Sequence, residues 1–160
     1  MKIGDTFPDF VLRDENGDEF DSRLLKGTRY VIYFYPKDNT SGCTREAIGF
    51  SERLAAFDAL GMTVIGVSKD SVASHRKFAD SKGLKIKLLS DPDHVLLEAA
   101  GAWGTKIMYG KETTGTIRST FVVGEDGRVE AVWKNVKVDG HVDKVLEKVG
   151  NPTLERFPIY

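Results

Sequence analysis

The chain alternates between unbroken apolar runs and stretches whose apolar positions recur every three or four residues. Tyr30-Val31-Ile32-Tyr33-Phe34-Tyr35 is β-branched or aromatic at every position, the composition of a strand buried on both faces. Pro36 ends it. Met62 to Ser68 and Ile86 to Ser90 read as two further buried strands. Ala47, Phe50, Leu54 and Phe57 predict an amphipathic helix that follows Cys43 and stops at Gly61. Asp70 or Ser71 can cap a helix running to about Lys82, with Gly83 closing it. Asp91-Pro92-Asp93 turns the chain into a short helix over about His94 to Ala100. Ahead of the first buried strand, Phe10-Val11-Leu12 and Glu19-Phe20 flank an Asn16-Gly17 turn and predict a hairpin.

In the second half, Gly101 to Gly115 has no clean period and reads as a loop. Arg118 to Val123 is a fourth buried strand, Gly124 to Gly127 a hairpin turn, and Arg128 to Lys134 the returning strand. Asp139-Gly140-His141 opens a last helix, with Val142, Val145, Leu146 and Val149 on its apolar face. The tail, Asn151 to Tyr160, has two prolines and no helical period. Alternating strand and helix imply parallel pairing through right-handed crossovers, and the late hairpin implies an antiparallel portion. The order predicts an α/β, thioredoxin-like fold: a mixed central sheet flanked by helices, with an N-terminal β-hairpin. A single domain over residues 1–160 is expected.

Lys plus Arg total 23 and Asp plus Glu 24 in 160 residues, a formal net charge of −1. That balance offers no electrostatic attraction for nucleic acid or an anionic membrane. No apolar run reaches the roughly 20 residues that span a bilayer, and Met1-Lys2-Ile3-Gly4-Asp5 lacks the apolar core of a signal peptide. A cytoplasmic location is the expectation. One cysteine forbids an intrachain disulfide and the Cys-x-x-Cys dithiol chemistry of reductases. His75, His94 and His141 lie far apart and make no zinc-ligand spacing, so no metal or other cofactor is expected. His75 reads as lying on a polar helix face, His141 as structural and Arg45 as solvated; Trp103 and Trp133 read as packing residues.

Cys43 falls where a buried strand has ended and a helix begins. Unpaired N–H groups at a helix start carry partial positive charge, which favours the thiolate over the thiol. A free cysteine is more often an inert buried side chain. Here Thr40, Ser41, Gly42 and Thr44 surround it with small polar groups, which suits a site that a small ligand enters.

Pro36-x-x-x-Thr40-x-x-Cys43 resembles the active-site signature of the peroxiredoxins. The longer string, from Phe34-Tyr35-Pro36-Lys37-Asp38-Asn39-Thr40 through Gly42-Cys43-Thr44 to Glu46-Ala47, is similar to the bacterioferritin-comigratory-protein branch, or Q type. Gly4-Asp5, Pro8-Asp9-Phe10, Gly66-Val67-Ser68, Leu88-Leu89-Ser90-Asp91-Pro92, Arg118-Ser119-Thr120-Phe121 and Val138-Asp139-Gly140-His141-Val142 extend the resemblance in order over nearly the whole chain. The resemblance implies that Cys43 is the peroxidatic nucleophile, which becomes a sulfenic acid. Thr40 would hold the peroxide, and the backbone N–H groups at Gly42 and Cys43 would add donors. Arg118 would stabilise the thiolate and polarise the peroxide, Pro36 would shield the sulfur, and Glu46 would fix an arginine. Taken alone, Pro36 could only end a strand, Thr40 only cap a turn, Arg118 only sit at a surface strand end, and Glu46 only favour a helix start.

The sequence departs from the Q type in two respects. Many members carry a second cysteine five residues on, where Ile48 stands, or in the following helix, where Ser74 to Lys82 has none. The cycle would then be of the 1-Cys kind, closed by an external thiol: a small-molecule thiol, a glutaredoxin or a thioredoxin. Ser41 stands where proline is common and keeps its N–H. The expected partners are a peroxide substrate and that thiol, with a monomer or small homodimer as the assembly. Two other readings remain: a redox-sensing or chaperone-like module switched by Cys43 oxidation, and an inactive domain, against which the joint presence of Pro36, Thr40, Cys43 and Arg118 argues.

Overall fold

Every residue of β3 (Tyr30–Phe34) is buried, which places the most continuous apolar run at the centre of a sheet. The structure, a computed structural model, describes residues 1–150. The elements in chain order are β1 (Val11–Asp14), β2 (Glu19–Asp21), a 3-10 turn (Ser22–Leu25), β3, α1 (Ser41–Glu52), α2 (Leu54–Ala59) and β4 (Thr63–Ser68). There follow α3 (Val72–Lys82), β5 (Lys87–Ser90), α4 (Val95–Ala99), β6 (Trp103–Met108), β7 (Lys111–Thr116), β8 (Ser119–Val123), β9 (Val129–Lys134) and α5 (His141–Gly150).

Seven strands make one mixed sheet in the order β2-β1-β5-β4-β3-β8-β9. β3, β4 and β5 are parallel, as the intervening helices require. β8 runs antiparallel to β3 and β9 to β8, while β1 joins the far side antiparallel to β5. This is the thioredoxin-like arrangement expected from the pattern, with its N-terminal hairpin incorporated in the sheet.

Strand alternation divides the core in two. Val31, Tyr33 and Tyr35 pack with Val64, Leu88 and Val122 beneath Phe50 and Phe57 of α1 and α2, Phe78 of α3 and Val145 of α5. Tyr30, Ile32 and Phe34 face the opposite way, onto Phe7, Phe10, Leu96 and Leu97. Cys43 belongs to the first cluster.

Several expectations need correction. Gly101 to Gly115 is not a loop: β6 and β7 form an antiparallel ribbon outside the main sheet, turning at Tyr109 and Gly110, both with positive φ. Its residues are largely exposed, so no buried face imposes an alternation that a sequence reading could detect. The helix after Cys43 is two helices, interrupted at Arg53. Arg118 immediately precedes β8 rather than lying in it. His75 is fully buried beside Phe78 and Ala79, not on a polar face. Its ring nitrogens lie 2.6 Å from an Asp38 carboxylate oxygen and 2.9 Å from the Leu89 carbonyl, which is how a polar ring is accommodated there. Arg45 is exposed, as expected, and pairs with Asp139. The tail, Asn151 to Tyr160, lies outside the described residues.

Gly66 stands directly beside Tyr33 in the β3–β4 register. A Cβ there would lie 2.8 Å from Tyr33 Cζ, while the Tyr33 ring is held from its other side by Phe50, with ring centroids 4.7 Å apart. Gly66→Ala is expected to destabilise the fold by about 1–3 kcal/mol through overpacking, read as a lower denaturant midpoint. An unchanged midpoint would show that the ring can move aside.

Candidate active site

The loop between β3 and α1 turns sharply. Pro36 is half-buried at its start, and Asn39 adopts φ +60, a left-handed conformation that asparagine tolerates better than most residues. Thr40 is the N-cap of α1 in extended conformation, and its carbonyl accepts the Thr44 N–H at 2.8 Å. The N–H groups of Ser41, Gly42 and Cys43 therefore precede the first intrahelical bond and lie at the positive end of the helix dipole. Cys43 is the third residue of α1 and 1% exposed. The Thr40 side chain makes no cap; its hydroxyl donates to the Lys37 carbonyl at 2.9 Å.

The arginine arrives by strand parity. Val122 of β8 faces the cluster that contains Cys43, so Thr120 and Arg118, two and four residues earlier, point to the same face. The Arg118 carbonyl accepts the Val136 N–H at 3.0 Å, anchoring its backbone. Its Nη2 donates to Cys43 Sγ at 3.2 Å and its Nη1 to Glu46 Oε1 at 2.5 Å. The guanidinium packs over Gly42, where a Cβ would make ordinary contacts at 3.4 Å to Nη2 and 3.7 Å to Val138 Cγ2.

Glu46 follows Cys43 by three residues, so the two share a helix face. It is fully buried. Burial pushes its carboxyl up to about 7, against the downward pull of the Arg118 charge and hydrogen bond. Its second oxygen, Oε2, has no hydrogen-bond partner among the described residues, so a proton there leaves the Arg118 contact intact. Burial pushes the Arg118 guanidinium down, but the charges of Glu46 and Cys43 and its hydrogen bonds to both outweigh this and hold it up; it stays cationic.

In the sequence, Tyr33 is one of several aromatic residues in the β3 run. Its hydroxyl is buried without a hydrogen-bond partner among the described residues. Burial, then the charges of Glu46 and Cys43, push its pKa far above the ordinary range, so the phenol stays neutral. No signal in the sequence separated Tyr33 from the other aromatic residues of that run. Thr120 Oγ1 lies 2.8 Å from His141 Nε2, and burial pushes His141 down to about 4, so this ring is neutral and packs edge-on to Trp133. Among the described residues, no group of three or more His, Cys, Asp and Glu could hold a metal ion, and no helix is long and apolar enough to cross a membrane.

A thioredoxin-like sheet that presents a lone helix-start cysteine to a half-buried arginine defines a class of thiol enzymes. Comparison with known proteins is specific. Residues 3–132 match the AhpC/TSA family. A putative peroxiredoxin of Mycobacterium tuberculosis is 45% identical over 142 residues, covering 89% of this chain and 90% of its own. The peroxiredoxin Bcp of Bacillus subtilis is 41% identical over 147 residues, covering 92% and 94%. Among solved structures, the bacterioferritin comigratory protein of Xanthomonas campestris, studied for its alkyl peroxide reduction activity, superposes with a TM-score of 0.84 at 41% identity, covering 88% of this chain and 90% of that one. The chain belongs to the AhpC/TSA family, and within it to the Bcp/Q-type peroxiredoxins, which are thiol-dependent peroxidases.

Arg118→Ala is expected to slow the reaction of Cys43 with hydrogen peroxide by roughly 10²-fold, the usual loss for a donor at a developing anion. It should also lower the ultraviolet thiolate absorbance at neutral pH. Because the single variant strands the Glu46 carboxyl, Arg118→Ala/Glu46→Gln serves as the folded control, and its rate should stay low. An unchanged rate in both removes Arg118 from the site.

The Glu46 carboxyl is raised in the fold from its free value of 4.5 to about 7, so the folded chain binds that proton more tightly than the unfolded chain. Its contribution to stability is complete below about 4.5 and is lost as pH rises through about 7. Denaturation of wild type and Glu46→Gln across that window should show the variant gaining relative stability with rising pH. A constant difference would mean that Glu46 is ionised throughout.

Proposed function

We propose that the chain is a 1-Cys peroxiredoxin of the cytoplasm, reducing hydrogen peroxide and organic hydroperoxides at Cys43 and serving antioxidant defence. The observation that carries this reading is the 3.2 Å donation from Arg118 Nη2 to Sγ in a chain with one cysteine. The Cys43 thiolate attacks the near oxygen of the peroxide. An S–O bond forms as the O–O bond breaks, and the departing oxygen takes a proton and leaves as water or an alcohol. The sulfur is oxidised to sulfenic acid and the peroxide is reduced.

Arg118 and the N–H groups at Gly42 and Cys43 meet the charge that moves from sulfur to the departing oxygen. The Thr40 hydroxyl spends its own hydrogen on the Lys37 carbonyl, so its lone pairs are free to accept the peroxide O–H. Pro36 walls the sulfur from bulk water, and Glu46 orients Arg118. The alkyl peroxide activity of the Xanthomonas campestris relative supports organic hydroperoxides as substrates.

With Cys43 alone, an external thiol condenses with the sulfenic acid, forming a mixed disulfide and water, and a second thiol releases Cys43 in reduced form. Glutaredoxin, thioredoxin and small thiols all fit this chemistry. Since Cys43 is 1% exposed, a protein thiol reaches it only when the first turn of α1 opens.

Stopped-flow oxidation of the reduced protein by hydrogen peroxide, read by tryptophan fluorescence and by mass, tests the reading. The expected result is rapid, stoichiometric sulfenic acid at Cys43, absent in Cys43→Ser, with steady turnover when a thiol donor is supplied. Excess peroxide without a thiol should drive Cys43 to sulfinic acid. A rate no faster than that of a free thiol would overturn the assignment, and rapid oxidation without turnover on any thiol donor would favour a sensor.

A further inference from the structure

The loop that precedes Cys43 is tied to α3 by a buried polar cluster that the peroxide chemistry does not use. Asp38 is its hub. The side chains of Asp38 and His75 are 3% and 0% exposed. Asp38 Oδ1 accepts the Tyr35 hydroxyl at 2.6 Å, and Oδ2 accepts the Ser74 hydroxyl at 2.8 Å. His75 Nδ1 lies 2.6 Å from the same Oδ2, and Nε2 lies 2.9 Å from the Leu89 carbonyl in β5. The backbone N–H of Asp38 donates to Asp70 Oδ2 at 2.8 Å.

The hydrogen-bond inventory decides the protonation state. A carbonyl oxygen is only an acceptor, so Nε2 must carry a hydrogen. Facing a carboxylate, Nδ1 must carry one as well. A neutral imidazole has a single N–H and cannot satisfy both. The pair therefore holds one proton more than a neutral histidine beside an ionised aspartate. The charged and titratable groups facing His75 are Asp38 from the loop, Asp70 from the β4–α3 turn and Tyr35 from the end of β3. Burial pushes His75 down, but hydrogen bonding and charge from Asp38, the Leu89 carbonyl and Asp70 outweigh it and move it up. Asp38 is pushed up by burial and, more strongly, down by His75, Tyr35 and Ser74. Both directions put the extra proton on His75.

The cluster acts two residues from the cap of α1. Lys37, whose carbonyl receives the Thr40 hydroxyl, is joined by one peptide unit to Asp38. We propose that His75 and Asp38 are positioning residues: a buried imidazolium–carboxylate clamp that holds the Pro36–Thr40 loop against α3 and β5, aims the Thr40 hydroxyl at the peroxide, and releases the loop when its proton is lost. This rests on the reading of Cys43 as the peroxidatic thiol. Arg118 belongs to a separate set of contacts, so the clamp governs peroxide attack and leaves the thiolate fraction alone. Loss of the proton leaves Asp38 or the Leu89 carbonyl without its donor. The rate should therefore fall on the alkaline side.

Nitrogen-15 NMR of the His75 ring in the wild-type protein, set beside the pH dependence of Cys43 oxidation by hydrogen peroxide, tests the clamp. Both ring nitrogens should be protonated at neutral pH, and one N–H should be lost in a single step whose midpoint matches an alkaline fall in rate. His75→Asn, which can donate but has no such proton to lose, should lack that alkaline limb. It should react about tenfold more slowly at neutral pH through a misplaced attack geometry, with unchanged thiolate absorbance. A bare ring nitrogen at neutral pH, or an alkaline limb that persists in His75→Asn, overturns the clamp. If the variant does not fold, the two wild-type midpoints decide, and a mismatch overturns it. A doubly protonated ring in a protein whose Cys43 reacts no faster than a free thiol would instead overturn the peroxidatic reading on which the clamp depends.

Discussion

A carboxylate cannot lie in an apolar core without a cation or a proton. Glu46 is fully buried in α1, and Arg118 is the cation that reaches it. That contact locks the first turns of α1 onto the strand end before β8, and the same guanidinium then extends its second nitrogen to Cys43 Sγ. The geometry around Cys43 follows from a structural requirement. Glu46 must be partnered, its partner must come from the facing strand, and a thiol one helical turn earlier shares that partner. Burial also keeps Glu46 half-inclined to hold a proton, which limits how completely it neutralises the arginine.

The second constraint is the double burial of β3. Its two faces feed two separate clusters, so Tyr33 and Tyr35 lie under the helices while Ile32 and Phe34 lie opposite. Tyr35 ends the strand with its hydroxyl on Asp38, and Gly66 makes room for the ring of Tyr33. The site loop thus leaves the sheet between two fixed points, the buried strand end and the Asp38–His75 contact. A short loop with a left-handed residue at Asn39 has few other ways to place a helix start beside Arg118.

The chain shares the family of the Bcp/Q-type peroxiredoxins and has one cysteine, Cys43, with Arg118 and Glu46 grouped around it. Ile48 is half-buried on α1, a position at which an apolar side chain is easily accommodated. Helix α3, where other members place that thiol, here presents His75, Phe78 and Ala79 to the interior and gives one of those places to the ring that holds Asp38.

Much of this was legible in the sequence because burial writes periodicity. The run at β3, the helical stripe after Cys43 and the late hairpin are each set by which faces meet the core. Cys43, Thr40, Gly42 and Pro36 stand in one short segment, so their neighbourhood is local. The β6–β7 ribbon was missed because residues exposed on both faces leave no pattern. His75 was misplaced because a buried histidine and an exposed one look alike until the partners are known. Only the tertiary structure could show that Arg118, 75 residues beyond Cys43 in the chain, reaches the sulfur, or that Asp38 meets His75, 37 residues away. Helix and strand are decided by neighbours along the chain, whereas the protonation and partnership of a buried charge are decided by whichever atoms the fold brings within 3 Å or so of it.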